Sequence, residues 1–234
     1  VFWRRRRFPC RYFTLAGVAA PSRGFMSLSR PPTVDPASVR WAWRPHAPRA
    51  PAEPLARAWL AAELGADQDA LALARDSRGR PHLTGDFGDW DVNWSHSGDG
   101  LLIALGRGVR IGIDLERVRP RGRALDLARR FFTAPELAWL HAAPSAAVRD
   151  HGFLRLWCAK EAVLKAHGHG ISFGLHRLRF AESPDGLRLV ECDAELGRAE
   201  DWSLQELRPA PEYLGALAWR SREGRDRGLE IRDP

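Results

Sequence analysis

One long helical pattern dominates this sequence. It runs from Ala146 to His167 and stops at Gly168, a residue suited to the left-handed turn that ends helices. Its middle is apolar nearly all round, with Phe153, Leu154, Leu156, Trp157, Val163 and Leu164 leaving little polar face. Strand-like runs lie before it (Trp90–Trp94, Leu101–Leu105, Val109–Glu116) and after it (Leu175–Phe180, Leu187–Cys192, Trp202–Leu207, Tyr213–Trp219). Helices do not alternate one for one with strands, so the pattern predicts an α+β fold rather than a doubly wound sheet.

The punctuation agrees. Pro54–Leu64 reads as a short amphipathic helix stopped by Gly65, and Leu125–Phe132 as another helix. Thr133-Ala-Pro-Glu136 is a capping box that opens a third. Gly106-Arg-Gly108 and Pro184-Asp-Gly186 each predict a hairpin, and Ser95–Gly100 a polar loop after a strand. Residues 39–124 and 125–220 form two halves, each with helical material followed by a hairpin. Residues 221–234 are polar and expected to fray.

The net charge of +7 is misleading. Residues 1–34 hold seven Arg and no acid, and the other 200 residues balance 29 basic against 29 acidic side chains. The excess therefore belongs to an Arg-rich tail, residues 1–38. That tail is expected to be disordered, or to reflect a mis-called start with translation beginning at Met26; a targeting peptide is the rival reading. A neutral body argues against nucleic acid as the partner. No apolar run approaches the ~20 residues that span a bilayer. Cys10, Cys158 and Cys192 form neither a C-x-x-C pair nor a disulfide framework, which fits a reducing compartment.

The chain has 34 Arg but only two Lys, Lys160 and Lys165, five residues apart on the long helix. An ammonium is a compact charge that a guanidinium does not reproduce, so the pair suggests a site that needs that head group. Glu161 and Lys165 share a helix face at i, i+4. Asp114 and Glu116 lie two apart on a predicted strand, with Gly112, on the face opposite Ile111, Ile113 and Leu115. Their Cα atoms are then roughly 6.5 Å apart, which suits two oxygen ligands on one hard cation. His96, between Ser95 and Ser97, can donate to phosphate oxygens. Arg78 and Arg80 put two guanidinium groups on one turn. There is no nucleophile elbow, P-loop or dinucleotide-binding glycine motif. Ten scattered Trp residues fit packing better than base stacking.

Taken in order, Asn93-Trp-Ser-His-Ser97, Gly112-Ile-Asp-Leu-Glu116 and Trp157-Cys-Ala-Lys-Glu-Ala-Val-Leu-Lys-Ala-His-Gly168 closely resemble the Sfp-type 4′-phosphopantetheinyl transferases. Arg78–Pro81 resembles that family's Gly-Lys-Pro turn, with Arg80 where Lys is usual. The resemblance covers roughly residues 40–220. It implies Mg²⁺-dependent transfer of the phosphopantetheine arm of coenzyme A to a serine of an apo acyl or peptidyl carrier protein, with release of adenosine 3′,5′-bisphosphate. It also implies two similar halves in one chain, a pseudo-dimer with the active site in the cleft between them, and a monomeric cytoplasmic enzyme of fatty-acid or secondary-metabolite synthesis.

The site residues that follow are Asp114, Glu116 and Glu161 for the metal, and Glu161 and Lys165 for catalysis. Arg78, Arg80, Ser95, His96, Lys160 and Lys165 would bind coenzyme A. Another metal-dependent phosphotransferase or nuclease on the same carboxylates is the alternative.

Overall fold

The computed structural model describes residues 39–119 and 122–222. The tail expected over residues 1–38 and most of the C-terminal segment lie outside the described residues. The strands are β1 (Val39–Pro45), β2 (Leu73–Arg75), β3 (Pro81–Leu83), β4 (Trp90–Ser97), β5 (Gly100–Arg107), β6 (Val109–Arg117), β7 (Leu178–Ser183), β8 (Gly186–Cys192), β9 (Ser203–Leu207) and β10 (Tyr213–Ser221). The α-helices are α1 (Glu53–Leu64), α2 (Ala124–Phe131), α3 (Ala134–His141) and α4 (Ala146–His167). The fold is mixed α/β, and among the described residues no helix is long and apolar enough to cross a membrane.

Two three-stranded antiparallel sheets form the frame, in the orders β1-β5-β4 and β6-β10-β9. β2-β3 and β7-β8 are separate two-stranded ribbons. β5 is buried on both faces, and its alternation sorts two cores. Leu101, Ile103 and Leu105 pack with Trp59 and Leu60 of α1. Leu102 and Ala104 pack with Ile111, Ile113 and Leu115 of β6. A third core gathers α2, α3, α4, β7 and β8 around Phe153, Leu156 and Leu164.

Most predicted elements form. Gly65 ends α1 in the left-handed conformation, and the Thr133–Glu136 capping box opens α3. Pro184 and Asp185 make the two-residue turn between β7 and β8, where Ser183 faces Gly186. Two readings fail. Gly106-Arg-Gly108 does not close a hairpin, because both edges of β5 are already taken by β1 and β4, and β6 crosses into the second sheet beside β10. The loop expected over Ser95–Gly100 is instead the end of β4 and a tight turn into β5, with Ser97 paired to Gly100.

β4 and β6 belong to different sheets yet run side by side, and side chains join them. Ile111 N–H donates to Asp91 Oδ2 (2.8 Å), Ile113 N–H to Asn93 Oδ1 (2.9 Å) and Arg117 N–H to Ser97 Oγ (3.1 Å). Each partner lies 20 positions further along, so the two strands are in parallel register. Asn93, the single Asn of the chain, is one tooth of this seam.

α4 lies across β6 and β10. Gly112 makes the close approach possible, since a Cβ there would sit 2.0 Å from the Ala162 carbonyl oxygen and 2.4 Å from Ala166 N. Glycine inside a strand commonly marks such a contact. The next residue on that face of β6 is Asp114, and the helix turn overhead carries Glu161 and Lys165.

Candidate active site

Asp114 is the centre of a buried polar cluster. Its Oδ1 accepts from Lys165 Nζ at 2.6 Å and from Ser95 Oγ at 2.9 Å. Lys165 Nζ also donates to Ser95 Oγ (2.9 Å) and lies 3.3 Å from the Ile113 carbonyl oxygen. Strand alternation explains the convergence: Ser95 and Asp114 project from β4 and β6 toward each other, and Lys165 comes down from α4. The helix supplies the lysine one turn after Glu161.

The other carboxylate oxygen of Asp114, Oδ2, is buried with no hydrogen-bond partner. Such an orphan normally costs 1–3 kcal/mol, so it marks a place where a further charge or donor belongs. Glu161 is also buried. Desolvation pushes its pKa up to about 7, the negative charges of Asp114 and Glu116 add to the rise, and Lys165 pulls against it. Burial opposes the charge on Lys165, but Asp114 and Glu161 hold its pKa above the ordinary value.

Glu161, which feels the charges of Asp114 and Glu116, and the orphaned oxygen of Asp114 are oxygen donors of the kind a hard divalent cation takes. Among the described residues no three His, Cys, Asp or Glu side chains already surround a single point, so the acids do not form a closed ligand cage. Lys165 and Ser95 already occupy Asp114 Oδ1.

The remaining expected site residues are dispersed. Lys160 does not join Lys165. It is fully buried, its Nζ forming an ion pair with Glu136 at 2.9 Å and donating to the carbonyls of Leu175 and Leu178. A separation of five residues turns a helix by about 140° relative to the starting face, which is why the two lysines part. Burial lowers the pKa of Lys160, and Glu136 opposes that.

Arg80 is buried too, held bidentately by the fully buried Asp91. Arg78 is exposed at the tip of the β2–β3 turn, where Asp76 Oδ1 accepts its backbone N–H. His96 points away from Ser95 on the exposed face of β4, its ring 5.2 Å from that of buried His46. Sequence reasoning missed Asp91 and Glu136 as partners of Arg80 and Lys160. Neither pair falls at a helical or strand spacing, so neither leaves a periodic signal.

A family profile described as the 4′-phosphopantetheinyl transferase superfamily matches residues 110–218, which span Asp114, Glu161 and Lys165. The Synechocystis sp. protein slr0495, provisionally named a 4′-phosphopantetheinyl transferase, is 37% identical over 176 residues, covering 71% of this chain and 69% of that protein. The chain therefore belongs to the 4′-phosphopantetheinyl transferase superfamily.

The 4′-phosphopantetheinyl transferase HetI of Nostoc sp. is 35% identical over 164 residues. The L-aminoadipate-semialdehyde dehydrogenase-phosphopantetheinyl transferase of Mus musculus is 28% identical over 183. The matches cover 69% and 72% of this chain, and the chain spans 66% of HetI and 59% of the mouse protein. The Helicobacter pylori holo-[acyl-carrier-protein] synthase crystallised with coenzyme A aligns at a TM-score of 0.34 and 16% identity, over 46% of this chain and 96% of that one.

Proposed function

We propose that this chain transfers the 4′-phosphopantetheine arm of coenzyme A to a serine hydroxyl of an apo acyl or peptidyl carrier protein. In this reading the serine oxygen forms a bond to the phosphorus that carries pantetheine. The bond from that phosphorus to the bridging oxygen breaks, and adenosine 3′,5′-bisphosphate leaves.

The observation that carries the reading is the buried Asp114, shared by Lys165 and Ser95 and left with one orphaned oxygen beside a Glu161 whose pKa is raised to about 7. In the metal-free chain Glu161 is a carboxylate poised near neutrality, which makes it the candidate to take the serine proton; a bound cation would lower that value. Lys165 is the fixed positive charge for the developing charge on phosphate oxygens. Asp114, Glu116 and Glu161 would hold Mg²⁺, which when bound supplies charge neutralisation to the pyrophosphate. Ser95 keeps Lys165 and Asp114 in register. Arg78 and His96, both exposed, are the residues of the expected set left to meet coenzyme A from solvent.

The reading includes a cleft between residues 39–124 and 125–220 as the place where coenzyme A lies, with each half contributing: Ser95 and Asp114 from the first, Glu161 and Lys165 from the second. It also includes a monomer acting in the cytoplasm.

The test is intact-mass measurement of a panel of apo-carrier proteins incubated with the chain and coenzyme A, with Mg²⁺ or with chelator. One added phosphopantetheine that requires both coenzyme A and Mg²⁺ supports the reading. Hydrolysis of nucleotides or nucleic acid without coenzyme A, and no carrier modified, would replace it with another metal-dependent phosphoryl transfer.

A further inference from the structure

A guanidinium has five N–H donors, and in Arg80 all five are engaged. Nε donates to the Lys165 carbonyl oxygen (2.9 Å). Nη1 donates to Asp91 Oδ1 (2.9 Å) and to the Pro81 carbonyl (3.2 Å). Nη2 donates to Asp91 Oδ2 (2.7 Å) and to the Ile111 carbonyl (2.7 Å). Nothing is left with which to hold a phosphate oxygen. The acceptors come from β3, β4, β6 and α4, so one side chain ties four elements together. Asp91 closes the ring by accepting the Ile111 N–H on the same oxygen that meets Arg80 Nη2.

The bond to Lys165 has a local reason. α4 ends at His167, so the Lys165 carbonyl is among the last ones, which have no donor within the helix. Arg80, 85 positions away, supplies that donor and places a positive charge at the negative end of the helix dipole. The amine of the same residue, Lys165, meets Asp114. An ammonium, with three donors and no planar fork, could not make this set of five bonds.

We propose that Arg80 is a positioning residue that caps α4 through the Lys165 carbonyl and so holds the Lys165 amine on Asp114, with Asp91 as its anchor and with no phosphate-binding role. The proposal rests on the transfer reaction proposed above for its kinetic arm but not for its chemical arm.

The experiment compares Arg80→Lys, Asp91→Asn and the double variant in the full chain. Steady-state transfer gives kcat and KM for coenzyme A. Limiting acetic anhydride followed by mass spectrometry gives the acylation rate of each lysine. The unsubstituted chain has only two, Arg80→Lys adds a third that is followed on its own peptide, and Lys160, locked against Glu136, reports folding. Expected for both single variants is a kcat lowered roughly 10- to 100-fold. KM for coenzyme A should stay within about twofold, and Lys165 should acylate several-fold faster with Lys160 still protected. The double variant should be no worse than the weaker single one, because one link is being cut twice.

An Arg80→Lys protein with raised KM for coenzyme A and unchanged Lys165 acylation overturns the proposal in favour of a phosphate clamp. Unchanged Lys165 acylation in Asp91→Asn overturns it as well. If one variant loses its fold, exposing Lys160, the other decides. If both do, Arg80 holds the whole fold rather than Lys165 and the proposal falls. A wild-type chain that modifies no carrier defeats the transferase reading alone, and the acylation arm still decides this one.

Discussion

Each of the two three-stranded sheets is covered by a helix, but the helices approach in different ways. α1 rests on β4 and β5 through side chains: Trp59 and Leu60 act as apolar spacers against Val92, Leu101 and Ile103. Its charges remain at the surface, where Glu53 pairs with Arg57 and Arg75. α4 instead brings its backbone onto β6 at Gly112 and buries Lys160 and Glu161. A spacer-mediated contact keeps polar heads apart and wet. A backbone contact forces the flanking side chains across the seam, where Asp114 and Lys165 meet at 2.6 Å. The chemistry lies where the helix comes closest.

Filling that contact should have the largest effect. In Gly112→Ala the new Cβ would collide with backbone rather than with a side chain that can swing aside. Urea unfolding should show a loss of about 3 kcal/mol or more, and carrier loading should disappear with it. A Gly112→Ala protein of native stability and rate would break the contrast between the two helices.

Next is the lysine. Lys165→Ala should slow single-turnover transfer by about 10²–10³-fold, equivalent to roughly 2.7–4 kcal/mol of barrier, in a chain that still folds but melts lower because buried Asp114 loses its ion-pair partner. Lys165→Arg should rescue only part of the rate, because the charge is spread over a larger planar group. A near-normal rate in the alanine variant would reduce Lys165 to a structural partner of Asp114.

The buried acid sharpens the comparison through pH. A carboxyl raised from 4.5 to about 7 in the folded chain keeps its proton where the unfolded chain has lost it. Folded molecules therefore bind more protons between those values, and stability falls as pH rises through that window. The full shift is worth about 3 kcal/mol. Metal-free protein should melt progressively lower from pH 5 to about 7 and level off above it, Glu161→Gln should flatten that slope, and Mg²⁺ should restore stability at the upper end. A slope unchanged in the glutamine variant would assign it to another group.

The smallest effect belongs to the other helix. Gly65 ends α1 at φ +65, but an added Cβ meets nothing within 4 Å. Gly65→Ala should cost only the left-handed backbone penalty, about 1 kcal/mol by urea unfolding, and leave transfer untouched. A cost matching that of Gly112→Ala would erase the distinction.

Much of this was legible in the sequence because it is periodic and local. Alternation put Asp114 and Glu116 on the face of β6 opposite Ile111 and Ile113. Helical spacing put Lys165 above Glu161, and Gly65 and the Thr133–Glu136 box marked helix ends. Gly112 was visible as well, and a glycine inside a strand next to an acid was a usable sign of close approach. Two failures were local periods left unapplied, and one was non-local. Proximity in sequence grouped Lys160 with Lys165, whereas helix geometry turned it to Glu136. Ser95 and His96 were read as one phosphate-facing motif, whereas strand alternation put one inside and the other outside. The crossing of β6 into the second sheet depends on β1 and β10 claiming partners far along the chain, and no window of residues around Gly108 contains that information.

The seam between β4 and β6 has a further consequence. A main-chain ladder is blind to sequence: almost any residue can be exchanged without altering its spacing. Here the two sheets are joined by the ends of Asp91, Asn93 and Ser97, so the joint has an adjustable length. One codon change, Asn to Gln or Ser to Asn, moves an acceptor outward by a bond while every strand keeps its own ladder. Selection can thus retune the distance between the two sheets in small steps, without having to rebuild either of them.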